Sequence, residues 1–139
     1  MKYPCSAYGK VGGIVYFARM LDKIRLKAAN ELPEAYLSNL GVGLFDRLCC
    51  QFLSVTYTAV VERVLQGGTD DEVVQWCFET GIKPNDDALL IWNDFATKKG
   101  FRDDFSDKLT QFKIVGGIAD RSEIATLFDY YEFDEGRVK

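Results

Sequence analysis

Histidine is absent from the 139 residues. That absence removes the side chain that titrates nearest neutral pH and the commonest metal ligand. It also excludes Ser–His and Cys–His nucleophilic catalysis by this chain alone. Cysteine is present, but not in a redox or metal-binding pattern. Cys5, Cys49, Cys50 and Cys77 make no CxxC, and the adjacent pair cannot be bridged without strain. Free thiols in a reducing cytoplasm are the expectation, with no metal and no cofactor. Long apolar runs are missing too. None approaches the ~18 residues that a membrane-crossing helix needs. The opening MKYPCSAYGK lacks the apolar stretch of an export signal. Neither a membrane partner nor secretion is expected. Nor is there a dense basic footprint: 17 Lys and Arg stand against 21 Asp and Glu, for a net charge of −4. The basic residues are scattered apart from Lys23, Arg25 and Lys27, so a nucleic-acid partner is not expected.

What is present is apolar and helix-patterned. Hydrophobic residues make up 47% of the chain and aromatics 14%, which excludes disorder on composition. A chain of this length buries roughly two thirds of its unfolded surface. Residues 1–139 read as one helical domain: an all-α, compact bundle of about six or seven short helices. The first helix is expected from about Gly13 to Ala29, with Ile14, Phe17, Leu21, Ile24 and Ala28 as its core-facing stripe. A short turn follows Pro33. LFDRLCCQFL and TYTAVVERVL supply the next two helices, the second stopping at Gly67-Gly68. Thr69 to Glu72 match a capping box, and Asp70 and Asp71 suit the positive end of the helix they open. Asn85 caps a further helix carrying Leu89, Trp92, Phe95 and Ala96. Phe105, Leu109 and Phe112 mark another. The last is expected to be capped by Asp120 and Glu123. GKVGG, ahead of the first helix, reads as a flexible lead-in: it lacks the order of a phosphate-binding loop.

One stretch breaks the apolar pattern. In ARMLDKIR, Arg25 projects within about 20° of Ile14 on an ideal helix. Arg19, Asp22 and Arg25 step by three along one flank. As a pocket wall, Arg25 offers a fixed fork for a carboxylate or phosphate, and Asp22 orients it. As scaffold, Asp22 and Arg25 form an internal salt bridge, joined by Asp46 or an acid from another helix. Scaffold is the favoured alternative. The segment Tyr36 to Leu48 is a second candidate, in which Tyr36, Asn39 and Asp46 complete a polar pocket with helix one. Its plainer reading is a turn shaped by Asn39 and Gly41.

GGIVYFARMLDKIR, the later Tyr…Asn pair, LFDRLCCQFL, GGTDDEVVQWC and IWNDF together resemble an uncharacterised bacterial family, the domain of unknown function numbered 5069. The resemblance covers almost the whole chain. It implies a small, mainly helical cytoplasmic protein and no particular activity. Arg19, Asp22, Lys23 and Arg25 match its helix-one motif; Tyr36, Asn39 and Asp46 match the segment after it. Some relatives carry a histidine beside the tyrosine and a cysteine where Ile24 stands. Leu37 and Ser38 follow the tyrosine here, a departure that separates this chain from any chemistry needing those groups.

Three functions follow as expectations. The first is a binding module for a small molecule or peptide, with Arg19, Asp22, Lys23, Arg25, Tyr36, Asn39 and Asp46 around the site and an anionic ligand favoured. The second is a histidine-independent enzyme using Asp22 or Lys23 as acid or base. The third is a protein-interaction subunit, with a homo-oligomer as one form of it. Binding ranks above catalysis, because no complete catalytic set can be assembled.

Overall fold

The computed structural model describes all residues, Met1 to Lys139. Seven α-helices, one 3-10 helix and one two-stranded hairpin follow in order. The chain divides into two compact units, Met1–Trp92 and Asn93–Lys139. No single helix is long and apolar enough to cross a membrane.

The hairpin corrects the all-α expectation. β1 (Lys10–Val11) pairs antiparallel with β2 (Ile14–Val15), in the register Lys10–Val15 and Val11–Ile14. GKVGG is therefore its first strand and turn, not a flexible lead-in. Gly12 and Gly13 both have positive φ, 60° and 78°, as a two-residue turn matched to strand twist requires. A Cβ on Gly12 would also come within 2.9 Å of Val74. Strands of two residues are too short to show alternation, which is why the sequence reads as a helix start. The first helix, α1 (Phe17–Ala28), begins after them rather than at Gly13.

In the first unit, Phe17, Met20, Leu21 and Ile24 of α1 are buried. A 3-10 helix (Glu34–Asn39) then leads to α2 (Leu44–Leu53) and α3 (Tyr57–Leu65). Helix α1 packs on α3, and α3 on α2 and on α4 (Asp70–Thr80). Phe45, Leu53, Val60, Val64, Val73 and Val74 complete the core, each worth about 1.5–3 kcal/mol of burial for the larger side chains. The capping box at Thr69 is formed in full, Thr69 and Glu72 each bonding the other's backbone N–H. Asn85 caps α5 (Asp86–Lys98) through the Ala88 N–H at 2.8 Å. Trp92 closes the unit, its indole donating to the Val15 carbonyl at 3.1 Å and its ring stacking on Phe52.

The second unit holds the end of α5, then α6 (Ser106–Val115) and α7 (Leu127–Asp134). Ala96, Leu109, Ile118, Ile124, Leu127 and Phe128 are its buried apolar residues. Helix α7 starts later than the sequence indicates. Its cap is Thr126, whose hydroxyl accepts from the Asp129 N–H, rather than Asp120. Residues 120 to 126 form turns instead, and Lys113 reaches across to bond the carbonyls of Arg121 and Ile124.

Candidate functional site

Helix α1 carries a lysine where its face meets α2. Lys23 lies seven residues beyond Tyr16, so the two share one side of the chain two helical turns apart. Asp46 stands in the first turn of α2, where a carboxylate suits the helix dipole. These three side chains converge. The Tyr16 hydroxyl donates to Asp46 Oδ1 at 2.6 Å. Lys23 Nζ donates to the same oxygen at 2.8 Å and to the Tyr16 hydroxyl at 2.7 Å. Asp46 Oδ2 accepts the backbone N–H of Gly41 at 3.0 Å. All three residues are buried, Asp46 to 1% exposure.

Tyr16 is held in an unusual way. Its φ is 73°, in the left-handed region that aromatic residues rarely adopt. Such a conformation costs roughly 1–3 kcal/mol and persists only where its surroundings fix it. Here the Tyr16 N–H bonds the Ala7 carbonyl, the ring packs on Phe45 at 5.0 Å, and Lys23 Nζ lies 5.2 Å from the ring centre.

The groups around Asp46 respond to it. Tyr57 is pushed above its ordinary range, first by burial and then by the negative charge of Asp46. Cys50 is pushed up to about 12 by burial, and Asp46 adds to the effect. Burial raises Cys49 as well, and raises Cys77 to about 11. The three buried thiols therefore stay protonated at neutral pH, which makes them poor nucleophiles and poor ligands as they stand.

The other residues singled out from the sequence lie elsewhere. Asp22 accepts the Cys5 N–H at 2.8 Å, and Arg19 donates to the Cys5 carbonyl at 3.2 Å, so both grip the N-terminal segment ahead of β1. Arg25 is about one-third exposed and pairs with Asp70 at 2.5 Å, not with Asp22. Tyr36 lies against Tyr3, with ring centres 6.3 Å apart. Asn39 is exposed, and its backbone carbonyl accepts the Gly43 N–H at 2.9 Å. Of the seven residues, only Lys23 and Asp46 meet in the buried cluster. Its third member, Tyr16, was not singled out, although its seven-residue spacing from Lys23 was a usable signal.

A family model for a domain of unknown function, DUF5069, matches residues 1–137, and the chain belongs to that family. No curated protein matches the chain.

Proposed function

We propose that this member of the DUF5069 family is a binding module, with Tyr16, Lys23 and Asp46 as the floor of a site between α1 and the 36–46 segment. One observation carries the reading: a desolvated ion pair shares its carboxylate oxygen with a phenol whose backbone is strained. Such pairs contribute little net stability compared with apolar side chains of the same volume. Features that cost stability and persist are those that function tends to maintain. Asp22 bonds the Cys5 backbone while Lys23 is engaged by Asp46, so an acid–base pair of Asp22 and Lys23 gains nothing from the geometry. The anionic preference expected from the arginines is weakened by Arg25, whose charge is matched by Asp70.

On this reading the protein acts in a bacterial cytoplasm, where its four free cysteines stay reduced. Its partner is a small polar molecule or a peptide segment, and self-association is a further form of the same proposal. The test is a thermal-shift panel of carboxylate, phosphate, amine and amide metabolites on the parent and on Lys23→Met/Asp46→Leu. A ligand that raises the melting temperature of the parent alone supports the site. If no compound shifts the parent, or if the double variant responds equally, the proposal fails.

A further inference from the structure

The two oxygens of Asp46 have partners of different kinds. Oδ1 holds Tyr16 and Lys23, both buried at α1. Oδ2 holds a neutral backbone N–H, that of Gly41. Gly41 belongs to a turn, Leu40 to Gly43, that is partly open to water, with Leu40, Gly41 and Gly43 half-buried. Val42 is 71% exposed, and no residue of the 3-10 helix leading into the turn is buried. The turn's backbone bonds are local, Leu40 to Leu37 and Gly43 to Asn39. Segments with local bonds and little buried apolar surface are those that open most readily.

Gly41 is fitted closely to its place. Its φ is +76°, and a Cβ there would stand 2.6 Å from the Tyr57 ring. The Tyr57 ring thus stands against Gly41, the residue whose N–H bonds Asp46. Tyr57 keeps its hydroxyl neutral, so it presents an uncharged aromatic surface beside the carboxylate.

We infer that the Leu40–Gly43 turn is a cover over Asp46, and that the ligand taking its place is a hydrogen-bond donor, an amide, amine or guanidinium group able to lie along Tyr57, rather than an anion. This rests on the binding reading above. When the turn lifts, Tyr16 and Lys23 remain on Oδ1, and Oδ2 loses the Gly41 N–H and is open to another donor. A neutral or cationic donor meets that need. A phosphate or carboxylate would set a second negative charge against Asp46 where water screens poorly.

The test is a set of amide-resolved NMR titrations of the full chain with methylguanidinium, N-methylacetamide and inorganic phosphate, alongside hydrogen exchange. Both donor probes should shift the Gly41, Asp46 and Tyr57 amides saturably, and phosphate should shift none of them. In Gly41→Ala the cover is displaced by the added Cβ, so the donor probes should bind about threefold or more tighter. Tyr57→Ala leaves the backbone unstrained and serves if the first variant does not fold. In it the Gly41 amide should exchange about tenfold faster while α1 keeps its protection. If Gly41 exchanges only through global unfolding in every variant that folds, the cover is wrong. If phosphate alone shifts these amides, the donor class is wrong and the binding reading stands. If no probe shifts them, both fall.

Discussion

Lys23 in the first unit and Lys99 in the second are buried to the same extent, 7% exposed each. Each ammonium lies near an aromatic ring, Tyr16 at 5.2 Å and Phe95 at 5.4 Å. Their acids differ completely. The Asp46 side chain is 1% exposed, whereas those that Lys99 meets, Asp104 and Asp103, are 87% and 26% exposed. The burial of a lysine by itself therefore says little. What separates a desolvated pair from a surface one is whether the carboxylate keeps its water, because removing one member of the desolvated pair strands the other. Lys99 ties down a turn; Lys23 belongs to a closed polar core.

Substitution sharpens this contrast most where both partners are dry. Asp46→Ala leaves the Lys23 ammonium and the Tyr16 hydroxyl without their shared acceptor, and should cost about 3–5 kcal/mol in urea unfolding. Asp104→Ala should leave the urea midpoint nearly unchanged. Equal losses at the two sites would break the comparison. Replacing both charges, with Lys23→Met and Asp46→Leu together, should recover most of the single-variant loss and end within about 1–2 kcal/mol of the parent, on either side. A double variant as unstable as Asp46→Ala would mean that the cluster is the keystone of the core.

Arg25→Met is expected to cost under about 1 kcal/mol, since both members of its pair with Asp70 are about one-third exposed. A change in melting temperature as large as that of Asp46→Ala would show that this pair is not a surface contact. The smallest effect concerns pH. The bond from Lys99 holds the Asp104 carboxyl below its ordinary value, and the bond from the Thr69 backbone does the same for Glu72. A carboxyl lowered on folding stabilises above its unfolded value, and that stabilisation fades as pH falls through the folded one. Asp104→Asn should therefore lose less stability than the parent between about pH 4 and pH 2 in denaturant titrations. Parallel curves for the two proteins would remove the electrostatic account of this pair.

Local rules carried the sequence reading where the signal was local. Thr69 and Glu72 are three residues apart, and their capping box formed as expected. Asn85 likewise caps the helix it precedes. The failures came from partners far along the chain and from a misplaced reference. Arg25 was set on the apolar side by its angle to Ile14, but Ile14 lies in β2, outside the helix whose phase it was used to define. The acid that meets Arg25 is Asp70, 45 positions on, which no helical spacing could indicate. Lys23 and Asp46 were legible as charges on the right elements. Tyr16 was legible only through its seven-residue spacing from Lys23, because its role depends on a left-handed backbone that residue type alone would argue against.

The bond from Trp92 to Val15 has a consequence for how the chain is made. The donor and acceptor are 77 positions apart, and they join the hairpin to the last residue of the first unit. During synthesis from the N-terminus the hairpin must wait for most of the unit to emerge before its carbonyl finds this partner and Phe52 finds its stacked ring. Closure of so long a loop is entropically unfavourable and arrives late. A nascent chain that ends before Trp92 thus lacks both the indole that donates to Val15 and the ring that stacks on Phe52.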